Sequence, residues 1–242
     1  MKKKVLVFDL FGDFAHFRKY YSTTSPVTFT IIPPVTVLGI LGAILGLEKK
    51  ENQYLTRLNK AKTLLAVQIL SEVKKIRMGI NLVNTKGNIW VPKQRREGAR
   101  TQIRFEFLKD VAYRLYITME DKNLFHQLTQ MVKEHKTFYT VSLGLSELLA
   151  DFNYVGIKEF TWEEGNGFFV DIDSAVPINS LMENGVQITP GQRFLKEMVP
   201  VHMDHQRIVQ DYSEMLVESQ GNPLTLKLKG YWKSAEANIV LV

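Results

Sequence analysis

The stretch TFTIIPPVTVLGILGAILGL, residues 28–47, predicts more about the fold than any other part of the sequence. It lies in a longer run, 20–47, that contains no charged residue. A helix that spans a membrane needs about 20 consecutive apolar residues, but Pro33 and Pro34 interrupt the run and leave only residues 35–47 for one continuous helix. Proline suits the first helical turn, where its missing N–H would have no partner. The sequence therefore predicts a short helix that begins at the diproline and no membrane anchor.

Three glycines, Gly39, Gly42 and Gly46, lie at spacings of three and four in this predicted helix, so they share one face. Each glycine in a helix interior costs about 0.8–1 kcal/mol relative to alanine, and we expect another group to approach that face closely. Two interpretations stay open. The face can pack against the sheet or a neighbouring subunit. Alternatively, a nucleic-acid backbone passes it, with Thr36 and the free N–H groups of the helix N-terminus facing a phosphate.

The composition of the 242-residue chain excludes several kinds of site. Because there is no cysteine, the chain has no disulfide, thiolate nucleophile or cysteine-ligated metal centre, which is typical of a cytoplasmic protein. The net charge of +6 is unevenly distributed: residues 1–104 hold 19 Lys and Arg against 6 Asp and Glu, whereas residues 105–242 hold 12 against 19. This polarity suggests a polyanionic partner for the first part of the chain, and a solvated charged face is the alternative.

Hydrophobic patterns predict the elements around the diproline helix. Residues 4–11 are typical of a strand buried on both faces, which we expect to end at Gly12. Strict alternation of apolar residues over 111–117 predicts a half-buried strand. Asp121 suits the N-cap of a second helix, in which His135 occupies a position on the apolar face and is expected to be packed.

The order of the elements predicts an α+β fold. Residues 63–83 are strand-like, and residues 84–101 form a basic insertion with little apolar period, which we expect to be an exposed loop or hairpin tip. Residues 1–158 then have the order β, α, β, insertion, β, α, β of a ferredoxin-like, RRM-like domain. The remainder, 159–242, is predicted as a smaller β-rich C-terminal region with a helical piece around residues 206–218.

Several motifs occur together in an order that is specific to one family. A strand ending at Gly12 is followed by AHFR at 15–18, PPVT at 33–36 and the Gly-x-x-Gly-Ala-x-x-Gly pattern over 39–46, and YTVSLGLSELLA follows at 139–150. These motifs resemble the Cas-five family of CRISPR-associated proteins, which is a branch of the RAMP superfamily. The resemblance is closest to the type I-B form.

The resemblance implies an RNA-binding subunit of a type I CRISPR Cascade surveillance complex. Such a subunit holds the 5′ handle of the CRISPR RNA (crRNA) and lies beside the Cas-seven backbone subunit and the large subunit, with target DNA as a further candidate neighbour. In many members of the family a thumb-like hairpin projects between the second and third strands. The basic insertion at 84–101 corresponds to it.

Residue chemistry supports RNA as the polyanion. Phosphates attract Lys and Arg, and unstacked bases stack on aromatic rings or guanidinium groups. The segment HFRKYY, 16–21, carries both kinds of side chain, as does the insertion. The alternatives without RNA are a solvated hairpin at the insertion and an ordinary turn around Gly144. The predicted RNA-binding residues are Arg18, Lys19, Tyr20, Thr36, Gly39, Arg77, Lys86, Trp90, Lys93, Arg95, Arg96, Arg100, Arg104, Gly144 and Ser146.

Catalysis is not predicted, and two alternatives stay open, the first of which is a pure assembly subunit whose basic charge is incidental. The type I-C relatives cleave the crRNA precursor, a reaction for which the resemblance implies a Lys-His pair after the thumb, and no histidine lies between His16 and His126 here. His16 with Lys19 and either Tyr20 or Tyr21 could imitate a general base and a cation, so a metal-independent endoribonuclease is the second alternative. The pair of histidines in 202–205 lacks further ligands, and we predict neither a metal nor a cofactor.

Overall fold

The computed structural model describes residues 1–59, 62–83 and 100–242, which form a mixed α/β protein of mostly antiparallel sheets with few helices. The strands are β1 (Lys2–Ala15), β2 (Thr63–Ile69), β3 (Lys74–Val83), β4 (Arg100–Met119), β5 (Asp151–Glu164), β6 (Val170–Ile172), β7 (Val176–Pro177), β8 (Leu181–Val186), β9 (Phe194–Met203), β10 (Val209–Glu218), β11 (Leu224–Leu228), β12 (Gly230–Lys233) and β13 (Asn238–Ile239). The α-helices are α1 (Pro34–Leu45), α2 (Gln53–Arg57) and α3 (Lys122–Lys133), and short 3₁₀ turns cover Lys50–Asn52 and Ile178–Ser180.

The largest sheet is built around β1 and β4. β1 pairs with β4 on one side and β5 on the other, and all of these pairings are antiparallel. The C-terminal part of β4 pairs with β2 and its N-terminal part with β3, so that the strand-like region 63–83 contains two separate strands. Beyond β5 the sheet continues through β12 to β13.

Gly12 does not end the first strand, as the sequence pattern suggested, because β1 continues to Ala15. The glycine is needed there for close packing. A Cβ at position 12 would lie 2.8 Å from both Leu143 Cδ1 and the carbonyl oxygen of Leu149. The loop before β5 therefore rests directly on the backbone of β1.

Helix α1 begins at Pro34, as predicted, and its glycine face meets protein. A Cβ at Gly42 would lie 3.0 Å from the Cβ of Tyr54 in α2, and one at Gly39 would lie 3.9 Å from the Tyr54 ring. Gly46 has a different role: with φ +72° it is the left-handed C-cap, and its N–H donates to the carbonyl of Gly42. No helix within the described ranges is long and apolar enough to cross a membrane.

Helix α3 starts where the sequence predicted. The carboxylate of Asp121 accepts hydrogen bonds from the N–H groups of Asn123 and Leu124. The predicted position of His135 on the apolar face of the helix is wrong, because α3 ends at Lys133 and His135 follows it with φ +53°. The residue lies at the boundary of the core, where its ring stacks on Phe152 with the centroids 4.9 Å apart. Its exposed imidazole also lies 2.9 Å from the carboxylate of Asp151.

The C-terminal region contains two further three-stranded sheets, β7-β10-β9 and β6-β11-β8. The helix predicted around residues 206–218 is wrong: β10 occupies this segment and pairs with β9 along its whole length, so tertiary pairing overrides the local pattern. β9 and β10 contribute Val199 and Met215 to the same apolar core as β1, α1 and α3. The division of the chain at residue 158 stays a prediction.

Candidate nucleic-acid interface

β3 and the N-terminal half of β4 form an antiparallel ribbon over residues 74–83 and 100–109. Because side chains alternate between the two faces of a strand, one face of this ribbon is polar and carries most of the cations. The register places Gly79 opposite Arg104 on this face. An open groove of about 390 Å³ lies there. It is lined by Arg77, Gly79, Gln102 and Arg104.

Gly79 has no side chain, and the side chain of Gln102 lies against its backbone. A Cβ at Gly79 would lie 3.0 Å from the side-chain amide nitrogen of Gln102. Arg77 has 73% of its side chain exposed, and Arg104 is also exposed. A planar guanidinium presents a fork of N–H donors that matches the oxygen atoms of a phosphate. The groove therefore has the shape and charge to bind a phosphate backbone.

Glu106 is the acidic residue on this face, and its carboxylate interacts with other groups of the protein. Its carboxylate lies 3.5 Å from the ammonium of Lys75 and 3.7 Å from the guanidinium of Arg77, and it accepts a 3.3 Å bond from the N–H of Thr28. Long ion pairs with exposed partners contribute little free energy. Glu106 therefore anchors the neighbouring loop while the Arg77 side chain stays accessible.

The loop with the predicted contact Arg18 packs against this ribbon. Arg18 forms an isolated β-bridge with Thr28, and the carbonyl of Thr28 accepts a 3.2 Å bond from the ammonium of Lys75 in β3. The exposed Arg18 side chain also donates to the carbonyl of Ser22 at 2.9 Å, which stiffens the turn. The structure thus brings the Arg18 segment to Lys75 of the ribbon, which lies far from it in the sequence.

Lys19 is directed toward the protein and away from the ribbon face. Its ammonium lies 2.5 Å from the carboxylate of Glu197 in β9, and these side chains are only 16% and 9% exposed. Burial alone would lower the pKa of Lys19, but the hydrogen bond and negative charge of Glu197, assisted by Tyr21, outweigh it and raise the pKa. The ammonium of Lys19, which the sequence predicted to bind RNA, is therefore paired with Glu197.

His16 is buried and neutral. Only 2% of the residue is exposed, and its Nδ1 lies 2.7 Å from the carbonyl of Glu106, so Nδ1 carries the proton in this bond. Burial lowers the pKa of His16 more than the Glu106 carbonyl raises it. The ring packs beside Phe105 and Phe107. An imidazole enclosed in this way does not reach a ribose hydroxyl on the surface.

The start of α1 offers fewer free N–H groups than the sequence suggested. Pro33 and Pro34 have none, and the N–H of Thr36 donates to the carbonyl of Pro33 at 2.9 Å. Gly39 faces Tyr54, as described above. The RNA-binding roles of Thr36 and Gly39 stay predictions, at positions where the protein itself supplies the close contacts.

Gly144 and Ser146 lie in a loop that supports the Arg18 segment. Gly144 has φ +103°, and a Cβ there would be 2.0 Å from the carbonyl oxygen of His16. The N–H of His16 donates to the carbonyl of Leu143 at 3.0 Å. The exposed Ser146 hydroxyl donates to the Glu147 carboxylate at 3.0 Å. Glycine is therefore required where this loop meets the strand end that precedes Arg18.

The remaining predicted contacts lie mostly in the insertion. Arg100 is the first residue of β4 and is exposed on the polar face of the ribbon. The other five lie outside the described residues, as does most of the insertion, and stay predictions: Lys86, Trp90, Lys93, Arg95 and Arg96.

A family model described as CRISPR-associated protein (Cas_Cas5) matches residues 5–215. The chain belongs to the Cas5 family. This confirms the resemblance to the Cas-five family inferred from the sequence motifs. A search of curated proteins found no match.

Two solved structures show that this Cas5 chain shares its fold with other CRISPR proteins. A CRISPR protein from Archaeoglobus fulgidus aligns over 100% of this chain and 98% of its own, with 15% identity and a TM-score of 0.54. A chain of a CRISPR RNA-guided surveillance complex aligns over 90% of this chain and 91% of its own, with 12% identity and a TM-score of 0.51. At these identities the likeness concerns the fold alone.

Sequence reasoning missed three residues of this Cas5 surface: Glu106, Glu197 and Tyr212. The acids stand next to apolar residues in their strands, and no local pattern connects them to the Arg18 loop. Tyr212 of β10 lies 5.2 Å from the ring of Tyr20, in a segment that was predicted to be helical. Within the described ranges, no group of three or more His, Asp or Glu side chains is placed to hold a metal ion.

Proposed function

We propose that this Cas5 chain is a non-catalytic RNA-binding subunit of a type I CRISPR Cascade complex. It binds the 5′ handle of the crRNA on the polar face of the β3–β4 ribbon and on the adjoining Arg18 loop. The observation that carries the proposal is the open groove lined by Arg77, Gly79, Gln102 and Arg104, on the ribbon against which the Arg18 loop packs. Family membership supports the CRISPR context.

The proposal includes a ferredoxin-like core over residues 1–158. The antiparallel order β5-β1-β4-β2, with α1 following β1 and α3 following β4, supports this assignment. β3 and β4 pair up to Val83 and Arg100. The insertion 84–101, which follows Val83 and includes Arg100, is therefore proposed as the thumb.

The proposed partners follow from the family and from charge. The Cas-seven backbone subunit and the large subunit of the complex, with target DNA nearby, are the neighbours that the family suggests. The excess of acidic residues over 105–242 supports protein contacts on that part of the chain. The type I-B subtype and a cytoplasmic location belong to the same proposal.

Salt dependence is the most direct test of phosphate binding. For single-stranded nucleic acid, each phosphate neutralised by the protein adds about 0.7 to the negative slope of log K against log salt concentration. The double variant Arg77→Ala/Arg104→Ala should therefore reduce the magnitude of the slope by about 1.4 and weaken binding about 25-fold at 0.1 M salt. The measurement is fluorescence anisotropy of the full chain with labelled single-stranded RNA carrying a repeat-derived handle.

The matched control removes two exposed lysines of α3, in the variant Lys122→Ala/Lys133→Ala. This control variant loses the same net charge as the arginine variant. It should keep more than half of the parent affinity, and its slope of log K against log salt concentration should be unchanged. Equal losses in both double variants would show that the ribbon has no special role. Defined cleavage products from repeat RNA incubated with the chain in EDTA would instead establish the endoribonuclease.

A further inference from the structure

Three tyrosines lie together on the surface, and we call Tyr20, Tyr21 and Tyr212 the tyrosine platform. Tyr20 and Tyr21 are each 62% exposed and Tyr212 is 43% exposed. The Tyr20 ring lies 5.2 Å from the Tyr21 ring at 86° and 5.2 Å from the Tyr212 ring at 53°. A cluster of exposed aromatic side chains is typical of a binding site, whereas a single exposed aromatic residue is not.

The turn that presents Tyr20 and Tyr21 is held on both sides. The N–H of Lys19 donates to the carbonyl of Val27 at 2.9 Å, and the hydroxyl of Ser22 donates to the carbonyl of Lys19 at 2.8 Å. The ion pair between Lys19 and Glu197 ties the turn to β9, which pairs with the strand that carries Tyr212. A platform fixed in this way loses little conformational entropy when a flat ligand stacks on it.

One exposed cation, Arg18, lies in the chain segment between the ribbon contact and the platform. Arg18 lies two residues before Tyr20, is exposed, and meets Lys75 of β3 through Thr28. The carboxylate of Asp211, the residue before Tyr212 in β10, lies 3.6 Å from the imidazole of His202. A nucleic-acid backbone bound at Arg18 would pass close to the tyrosines, because Arg18 and Tyr20 belong to the same turn. Every base has an aromatic face that can stack on such a ring.

We propose that the tyrosine platform binds one unpaired base of the RNA by stacking, and that Tyr212 completes it from β10. The inference rests on the proposed function, to which it adds a base contact beside the phosphate contacts. We favour a nucleobase over a protein side chain as the occupant because the adjoining exposed cation attracts a phosphate backbone.

The test is the Tyr212→Ala variant of the full chain, measured with the same labelled handle RNA. Affinity should fall about 5- to 150-fold, which is the usual effect of losing one stacked base. The salt slope should not change, because no cation is removed. Tyr212→Phe should bind like the parent, since the ring stacks and the hydroxyl does not. Tyr139→Ala, which removes another exposed tyrosine, is the matched control and should also bind like the parent.

RNAs with a single abasic nucleotide at each handle position identify the stacked base. At that position the parent and Tyr212→Ala should bind equally, because the base that would stack is already missing. Thermal unfolding of each variant, followed by circular dichroism, verifies that the fold is retained. An affinity loss that persists with every abasic RNA, or that Tyr212→Phe shares, overturns stacking.

Failure of the platform and failure of the proposed function are distinguishable. Parent-like binding by Tyr212→Ala, together with weak binding by Arg77→Ala/Arg104→Ala, refutes the platform and leaves the proposed function standing. Parent-like binding by both variants refutes both. Normal RNA affinity combined with loss of a protein subunit from the purified complex identifies the tyrosines as a protein interface, which also overturns the inference.

Discussion

Glu197 accepts two bonds from one loop, the Lys19 ammonium at 2.5 Å and the N–H of Thr30 at 2.6 Å. Burial, together with this negative charge, also raises the pKa of Tyr113. A buried carboxylate is tolerated only when such partners compensate for its lost hydration. A single acid in β9 thus fixes the loop that presents Arg18 and Tyr20.

The protonation of His16 makes folding stability depend on pH. Burial lowers the pKa of the folded imidazole from its ordinary value of 6.5, despite the opposing bond to Glu106. The unfolded chain then binds more protons than the folded chain between the two pKa values. The contribution of neutral His16 is complete above pH 6.5 and is lost as the pH falls toward the folded pKa. We predict that the free energy of unfolding declines as the pH falls below 6.5, by up to about 1.4 kcal/mol per pH unit from this residue.

Urea unfolding at several pH values measures this effect. His16→Gln removes the titrating group, so its stability should change less with pH than that of the parent. His126→Gln removes an exposed histidine from α3 and controls for the loss of a titratable group elsewhere. If His16→Gln and the parent have parallel pH profiles, the buried imidazole does not set the pH dependence.

At the scale of elements, the three glycines of α1 divide between two roles. Gly39 and Gly42 lie in the helix interior against Tyr54, whereas Gly46 ends the helix at φ +72°. The carbonyls near this end accept bonds from Phe138 and Tyr139, so the loop after α3 caps α1. Sequence spacing alone cannot separate the roles, because all three glycines fall on one helical face.

We predict opposite effects of alanine at the two ends of this glycine series. Gly46→Ala should destabilise the protein by about 1–2 kcal/mol, because alanine is strained at positive φ and its Cβ would lie 2.6 Å from the Phe138 ring. Gly39→Ala should stabilise it by up to about 1 kcal/mol, because its Cβ would lie 3.9 Å from Tyr54, an ordinary contact. Urea unfolding at pH 7 measures both.

RNA binding by the Gly39→Ala variant distinguishes the two interpretations of the glycine face, which are packing against protein and contact with RNA. If the face serves only packing against α2, Gly39→Ala should bind handle RNA like the parent. A stabilised Gly39→Ala variant with weakened RNA binding would instead support the predicted RNA contact at Gly39.

At the scale of the whole molecule, residues 1–158 and 159–242 contribute to the same sheet and the same apolar core. β12 pairs with residues 161–164 of β5, and β13 pairs with β12, so the C-terminal strands extend the largest sheet. Val199 and Met215 lie in the core that also contains α1. Trp162 and Trp232 meet at the β5–β12 junction with their ring centroids 5.4 Å apart.

We predict that the described parts of the chain unfold together. In a Trp90→Phe variant of the full chain, the remaining tryptophans, Trp162 and Trp232, report the β5–β12 junction. Their fluorescence and circular dichroism should give coincident midpoints in urea. A fragment of residues 1–158 should lack a cooperative transition, because it leaves the apolar core uncovered where β9 and β10 pack. A cooperative transition of that fragment would show that the ferredoxin-like region folds alone.

Local signals in the sequence were sufficient for much of the fold and for part of the candidate site. The helix start at Pro34 and the Asp121 cap were predictable because they depend on the chemistry of adjacent residues. The strand at 209–218 was not, since its pairing with β9 overrides its local pattern. Lys19 was assigned to RNA for the same reason, because its partner Glu197 lies far away in the sequence.

The sequence by itself determined the Cas5 membership, the mixed α/β class, the starts of α1 and α3, and the basic character of residues 1–104. Each of these depends on residue identity at short spacing. Only the tertiary structure decided that the glycine face meets Tyr54, that Lys19 is held by Glu197, and that Tyr212 joins Tyr20. The physical reason is that burial and pairing between distant strands select partners that no local pattern specifies.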